Sequence, residues 1–140
     1  MTCDVEDYFQ VSAFDGIVPR DRWADVESRI PRNVDKALQL FADSDTKATF
    51  FTLGWVAEHH PEVIRRIVDE GHELASHGMC HLRVWSQTPE EFRRDASRAR
   101  GLLEDIGGVS VIGYRAASWS IDKRTPWAHE ILAEIGYEYS

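Results

Sequence analysis

The sequence is poor in cysteine and contains no long apolar run. Its 140 residues include only two cysteines, Cys3 and Cys80, which cannot form the disulfide framework of a small secreted domain. No segment approaches the roughly 18 to 20 consecutive apolar residues that a membrane-spanning helix requires. The first residues also lack the basic and apolar regions of a secretory signal. These absences predict a soluble, cytoplasmic protein without a membrane span.

Basic residues are scarce as well. The chain has 16 lysines and arginines against 24 acidic residues, a formal net charge of -8, and no basic cluster. Nucleic acids and anionic membrane surfaces are bound through clustered positive charge, so neither is a predicted partner. A hydrophobic content of 43% is sufficient for one compact core, and a single domain is the expectation for this length.

Short apolar runs alternate with amphipathic stretches along the whole chain. Strands are predicted at 3–9, 47–53, 72–76, 109–114 and from 137 onward. Helices are predicted over 31–42 and from the prolines at 61, 89 and 126, with glycines at 71, 107–108 and 136 as their ends. This alternation indicates an α/β fold with a parallel sheet, open or closed into a barrel. In such folds the functional groups collect at the carboxyl ends of the strands.

A pair of histidines, His77 and His81, follows the third predicted strand. They are four residues apart, so one helical turn would point both imidazoles to the same side. Neutral imidazole is a good ligand for divalent metals, and a catalytic site usually adds a carboxylate. The acidic segment 4–7 and Arg115 also follow predicted strands, so the architecture would bring all three groups to one face. Cys80 is interpreted as a small buried side chain rather than a ligand.

Several motifs together carry a family resemblance. They are residues 2–4 (Thr-Cys-Asp), 48–54 (Ala-Thr-Phe-Phe-Thr-Leu-Gly), 71–78 (Gly-His-Glu-Leu-Ala-Ser-His-Gly) with His81, and 113–119 (Gly-Tyr-Arg-Ala-Ala-Ser-Trp). In this order they resemble the polysaccharide deacetylase family, also called the NodB homology domain or carbohydrate esterase family 4. Residues 4–9 (Asp-Val-Glu-Asp-Tyr-Phe) further resemble the branch associated with bacterial exopolysaccharide gene clusters.

The resemblance implies a fold, an activity and a cofactor. The fold would be the N-terminal part of a distorted (β/α) barrel with parallel strands. The activity would be that of a metal-dependent hydrolase that removes N-acetyl groups from an amino-sugar polysaccharide or oligosaccharide. Zinc is the expected metal, although cobalt, nickel and manganese accept the same ligands.

The resemblance also implies the metal ligands. His77 and His81 match the two histidine ligands of the family. Many members have the metal aspartate directly after the catalytic base, where this chain has Val5, so the third ligand is Glu6 or Asp7. Strict strand alternation favours Glu6, whereas a bend at the end of the strand would present Asp7. Both residues therefore stay candidates at this point.

The remaining functional residues follow from the same match. Asp4 matches the aspartate that acts as general base on the metal-bound water. Arg115 matches the arginine that pairs with this base and orients it. A backbone N–H shortly after Arg115 would help to hold the oxyanion, which places Ser118 or Trp119 near the substrate. Ala117 departs from the proline usual in the family, and this loosens the predicted loop.

The family's later motifs include a histidine that serves as general acid, and they would lie beyond Ser140. His129 falls inside a predicted helix and is a poor match for this role. Residues 1–140 are therefore interpreted as a partial, truncated deacetylase domain whose uncovered strand edges favour self-association. Two alternatives remain: a non-catalytic or half-domain metal-binding remnant of the same fold, and an allantoinase-like hydrolase of small amides.

Overall fold

Three parallel strands form the centre of the fold in the computed structural model, which describes all 140 residues. They are β1 (Thr2–Val5), β2 (Thr49–Thr52) and β3 (Glu73–Ser76), arranged in the order β1-β2-β3. Beyond β3 the sheet continues through single parallel bridges from Ser76 to Tyr114 and from Gly113 to Tyr139. Spatial order thus follows chain order, as in a β/α barrel. The predicted α/β class with parallel strands is confirmed.

Five α-helices connect and cover the strands. They are α1 (Ile30–Asp43), α2 (Gly54–His59), α3 (Pro61–Asp69), α4 (Pro89–Gly107) and α5 (Ala128–Ile135). None of the helices is both long enough and apolar enough to cross a membrane.

The helix boundaries follow from local chemistry at both ends. Helix α4 begins with a complete capping box, in which Thr88 accepts from the backbone of Glu91 and the Glu91 side chain accepts from the backbone of Thr88. It ends before Gly108, whose φ of 67° is left-handed. Helix α5 ends in the same way before Gly136, at φ 103°. The predicted helices beginning at Pro61 and Pro89 are confirmed at these residues.

Other boundaries differ from the prediction. The first strand ends at Val5 rather than at Phe9, because the chain turns directly afterwards and the Gln10 N–H donates to the Asp7 carbonyl. The strands predicted at 109–114 and from 137 are reduced to the single bridges at residues 113, 114 and 139. Helix α2 was not predicted, because its first four residues are all buried and show no amphipathic periodicity.

Strand alternation divides the sheet into two faces. Phe50 and Leu74, which are neighbours on β2 and β3, point toward the helices and are fully buried. Each such side chain contributes about 1.5–3 kcal/mol by leaving water. Asp4 and Phe51 are register partners on β1 and β2 and belong to the opposite face. The charged residue of β1 therefore lies on the face that the α-helices leave open.

An aromatic cluster fixes the long connection between β1 and α1. Phe9 and Trp23 from this connection pack edge-on against each other and against Trp55 of α2, with ring centroids 5.8–6.2 Å apart. Such pairs add about 0.5–1.5 kcal/mol each beyond the area that they bury. The connection is therefore anchored beside the carboxyl ends of β1 and β2.

Candidate metal centre

Two imidazoles and one carboxylate meet where β1 and β3 end. Glu6 directly follows β1 and His77 directly follows β3. The Oε2 atom of Glu6 lies 3.0 Å from His81 Nε2 and 3.8 Å from His77 Nε2. The ligand atoms of the three residues all lie within 4.8 Å of one another, and the two histidines are only 3% and 4% exposed. Two nitrogens and one oxygen in this arrangement can hold a single divalent cation.

The two histidines lie in a loop and not on a helix, so the expectation of one helical turn is wrong. Residues 77–83 are irregular, and Gly78 and His81 have left-handed backbone conformations with φ of 77° and 52°. These conformations turn the chain so that the two imidazoles meet edge-on, with ring centroids 5.2 Å apart and an interplanar angle of 69°. The pair is thus brought together by backbone turns that the spacing alone does not indicate.

Helix α2 holds this loop in place. The N–H groups of Gly54 and Trp55, in the first turn of α2, donate to the carbonyls of Gly78 and Met79 at 2.9 Å each. Such first-turn groups have no partner inside their own helix and need one elsewhere. A Cβ atom on Gly54 would lie 2.3 Å from the sulfur of Met79 and 3.3 Å from the Cα of Ala99, so a larger residue here would require the Met79 side chain to move. The helix that the sequence did not predict is therefore the support of the histidine loop.

The orientation of the first imidazole is fixed by a backbone carbonyl. His77 Nδ1 lies 2.8 Å from the carbonyl oxygen of Arg115. A carbonyl only accepts hydrogen bonds, so Nδ1 carries the proton and the lone pair of Nε2 faces Glu6 and His81. A hydrogen bond from the other ring nitrogen to a carbonyl fixes the tautomer and ring orientation that a histidine needs to ligate a metal through Nε2.

Burial shifts the protonation of the three residues. Burial, followed by the proximity of His77, lowers the pKa of His81 to about 4, and burial also lowers the pKa of His77. Both imidazoles are thus neutral near pH 7, the form that binds a metal. Burial, followed by the negative charge of Asp4, raises the pKa of Glu6 to about 7. A bound cation would reverse this effect by stabilising the carboxylate.

An unpartnered oxygen supports the fit of a cation at this position. Glu6 Oε2 is buried and accepts no hydrogen bond from any residue. A buried carboxylate oxygen without a donor is costly unless a cation or an ordered water meets it. The Nε2 atoms of His81 and His77 lie 3.0 Å and 3.8 Å from this oxygen, so a cation bound by all three atoms would satisfy it. The donor set therefore fits a divalent metal.

The structure places Asp7 outside this cluster. Its carboxylate accepts the backbone N–H groups of Tyr8 at 3.1 Å and Arg29 at 2.7 Å, and its own N–H donates to Gln10. Asp7 thus ties the turn after β1 to the residue that precedes α1. The two candidates for the third ligand are separated by this geometry, because only Glu6 lies beside the histidines.

The predicted base and its arginine are brought together. Arg115 Nη1 donates to Asp4 Oδ1 at 2.5 Å, while Nη2 donates to the hydroxyl of Thr2 at 3.1 Å. The guanidinium also lies 3.9 Å above the ring of Phe51. The pairing is therefore a single charge-assisted bond, with the second nitrogen used on Thr2. Thr2 and Phe51 were not predicted as site residues, although strand alternation places both on the face of Asp4.

Ser118 and Trp119 form the opposite rim of the site. Both have left-handed backbone conformations, with φ of 52° and 53°. The Trp119 N–H donates to the Ala116 carbonyl at 3.1 Å, whereas the Ser118 hydroxyl meets the Ser12 hydroxyl at 2.8 Å. The indole of Trp119 is 78% exposed. An exposed aromatic ring thus stands at the edge, and the N–H of Trp119 is already engaged.

These groups surround a cavity of about 330 Å³. One wall comes from the connection after β1, which sequence reasoning did not identify. The lining residues of this wall, Val11, Ser12 and Ala13, belong to no metal-binding or catalytic motif, so only their folded position reveals them. The cavity is lined by Asp4, Glu6, Val11, Ser12, Ala13, His77, His81, Arg115, Ala116, Ser118 and Trp119.

Fold and site together define a parallel α/β protein with a two-histidine, one-carboxylate cluster beside an arginine-paired aspartate. The sequence profile of one family, described as polysaccharide deacetylase, matches residues 16–140. The chain belongs to the polysaccharide deacetylase family, which confirms the resemblance drawn from the motifs. The match begins after Asp4 and Glu6, so the roles of these two residues rest on the geometry above.

The curated relatives are deacetylases that are named for different glycans. A chitooligosaccharide deacetylase of Sinorhizobium fredii is 32% identical over 71% of this chain and 48% of its own length. A peptidoglycan deacetylase of Helicobacter pylori is 29% identical over 76% of this chain and 35% of its own length. The chain thus spans between a third and a half of the length of these relatives.

Solved structures show the same fold. A polysaccharide deacetylase homologue from Mycobacterium smegmatis superimposes with a TM-score of 0.78 at 30% identity, over 98% of this chain and 48% of its own length. A family 4 carbohydrate esterase from Streptomyces lividans, solved with acetate, gives a TM-score of 0.71 at 19% identity, over 81% of this chain and 56% of its own. A pseudoenzyme of the same family from Bacillus anthracis gives 0.70 at 20% identity, over 76% of this chain and 37% of its own.

Proposed function

We propose that this chain carries the catalytic centre of a metal-dependent deacetylase that removes N-acetyl groups from an amino-sugar polysaccharide or oligosaccharide. The observation that carries the proposal is the convergence of Glu6, His77 and His81 within 4.8 Å. Asp4 and Arg115 line the same cavity. Family membership alone does not decide the matter, because a pseudoenzyme shares the fold.

Glu6, His77 and His81 would hold the metal. Zinc is the preferred ion for two imidazoles and one carboxylate, and cobalt, nickel or manganese can use the same donors. When bound, the metal supplies Lewis acidity to the acetamide carbonyl and lowers the pKa of water to about 7. All three residues line the cavity, so a metal that they held would be accessible from it.

Asp4 would act as the proton acceptor. Its Oδ1 is held by Arg115, which leaves Oδ2 to take the proton of the attacking water. Arg115 orients this carboxylate, and its bond to the Thr2 hydroxyl helps to hold the guanidinium in place. Arg115 thus has a positioning role, while Asp4 moves the proton.

The rim of the cavity would bind the sugar. The exposed indole of Trp119 offers an apolar face on which a pyranose ring can stack. Of the two candidates for holding the oxyanion, the N–H of Ser118 is favoured, because the N–H of Trp119 already donates to Ala116. The named relatives that act on chitooligosaccharide or peptidoglycan support an N-acetylated glycan as substrate.

Metal analysis of the purified chain tests the proposal. The wild-type chain should bind about one zinc ion, and H77A and H81A should each lose most of it. H129A is the matched control, because His129 lies in α5 away from the cluster. Equal metal content in all four chains would overturn the ligand assignment. Acetate release from chitooligosaccharide, measured with the protein extended to the length of its relatives, then tests the reaction.

A non-catalytic metal-binding protein is the second candidate. It is favoured by one observation: a pseudoenzyme of the same family from Bacillus anthracis has the same fold, with a TM-score of 0.70. Metal binding without acetate release in the extended protein would support this alternative. Release of acetate would exclude it.

A further inference from the structure

One arginine outside the metal cluster holds the backbone of the second histidine. Arg20 lies in a 3-10 helix, Arg20–Asp25, within the connection between β1 and α1. Its Nε donates to the carbonyl of Cys80 at 2.9 Å, and its Nη2 reaches the carbonyl of His81 at 3.4 Å. One guanidinium thus bonds both backbone carbonyls next to the Cα of His81, the one before it and its own.

His81 needs such support more than His77 does. The imidazole of His77 is fixed by the bond from Nδ1 to the Arg115 carbonyl. The Nδ1 of His81 is buried and has no hydrogen-bond partner. His81 also has a φ of 52°, a left-handed backbone conformation that is uncommon for residues other than glycine. The direction of this imidazole is therefore set through its backbone.

Arg20 is itself held on two further sides. Its Nη2 pairs with Asp15 Oδ1 at 2.9 Å, and its guanidinium lies 5.7 Å from the ring centre of the buried Trp23. Asp15 also pairs with Arg83 at 3.5 Å, and Arg83 Nε donates to the Ser12 hydroxyl at 3.1 Å. The arginine is thus part of a network that joins the cavity wall to the histidine loop.

We infer that Arg20 is a positioning residue of the metal centre, which fixes the strained backbone of His81 so that its Nε2 faces Glu6 and His77. The inference rests on the proposed function, because it requires these three residues to bind the metal. Lysine cannot replace the arginine fully, since an ammonium group lacks the planar fork that bonds two carbonyls at once.

Zinc affinity of the purified chain tests this inference. Zn²⁺ affinity, measured by competition with a chromophoric chelator, should fall about 10- to 100-fold in R20M and less in R20K. R22M is the matched control, since Arg22 lies on the same 3-10 helix and pairs only with Asp25. The absorption spectrum of bound Co²⁺ should change in R20M and stay unchanged in R22M, a readout that a general loss of stability does not produce.

The possible outcomes distinguish failure of the proposed function from failure of the inference about Arg20. A wild-type chain that binds no Zn²⁺ overturns the proposed function and this inference with it. If the wild-type chain binds Zn²⁺, and R20M binds it with the same affinity and shows the same Co²⁺ spectrum, the inference alone is overturned.

If R20M does not fold, D15N decides, because it removes the charge that holds Arg20 and keeps the shape of the side chain. An unchanged Zn²⁺ affinity in folded D15N overturns the inference, and a several-fold loss supports it.

Discussion

The Nδ1 of His77 donates to the backbone carbonyl of Arg115 at 2.8 Å. The side chain of the same arginine holds Asp4 at 2.5 Å, and its N–H donates to the Ser76 carbonyl at 2.8 Å. One residue therefore orients both the imidazole and the aspartate through different atoms. The parallel bridge between Ser76 and Tyr114 places Arg115 where it can make both contacts.

The different environments of Glu6 and Asp7 lead to opposite expectations for two conservative variants. E6Q should lose most of the bound zinc, because an amide is a weaker ligand than a carboxylate, and it should keep a similar thermal stability. D7N should keep the zinc but lose about 1–3 kcal/mol of stability, since the carboxylate accepts two backbone N–H groups while buried. Elemental analysis and chemical denaturation of the two variants measure both effects. A D7N chain without zinc would contradict this assignment.

Zinc affinity should depend on pH through one carboxyl group. The pKa of Glu6 is raised to about 7, so below pH 7 the metal-free chain holds a proton that zinc must displace. The pKa of His81 is lowered to about 4, so its imidazole is already neutral in this range. Affinity should therefore fall about tenfold for each pH unit between 7 and 5.5, with one proton released. Calorimetry in buffers of different ionisation enthalpy counts this proton. A flat profile, or release of two protons, would contradict the assignment.

The part of the fold that could be predicted is the part set by local sequence. The helix starts at Pro61 and Pro89 and the glycine ends at 108 and 136 depend on residues within one turn, and the structure has them. Helix α2 could not be found in this way. Its first two N–H groups bond to the histidine loop, which lies more than twenty residues away in the sequence, and Trp55 packs against Phe9 and Trp23.

In the candidate site, too, some features could be predicted from the sequence and others depend on contacts between distant residues. Motifs and strand order indicated that Asp4, His77, His81 and Arg115 would meet, because parallel strands bring their carboxyl ends to one edge. Strict strand alternation favoured Glu6, but the choice between Glu6 and Asp7 stayed open because it depends on the turn that forms after Val5. The supporting contacts of Arg20 could not be predicted, since a 3-10 helix in a long connection has no periodic signal that locates it.

Replacement of the proton acceptor should separate metal binding from turnover. In the protein extended to the length of its relatives, D4N should reduce the rate of acetate release about 10²- to 10⁴-fold, because an amide cannot take the proton from water. Zinc content should stay at the wild-type level, since Asp4 is not among the three clustered ligands. D69N, at the end of α3 and outside the cavity, serves as the control. Activity of D4N within tenfold of the wild type would remove Asp4 from the mechanism.

The exposed indole of Trp119 provides a test of substrate binding. W119A removes a stacking surface, so the KM for an N-acetylated oligosaccharide should rise about 2- to 10-fold in the extended protein, a change that corresponds to roughly 0.5–1.5 kcal/mol. Stability should change little, because the side chain is 78% exposed and leaves no cavity when it is truncated. W119F should retain most of the affinity. W85A is the control, since Trp85 lies under Arg124 and does not line the site. An unchanged KM in W119A would show that the sugar binds elsewhere along the cavity.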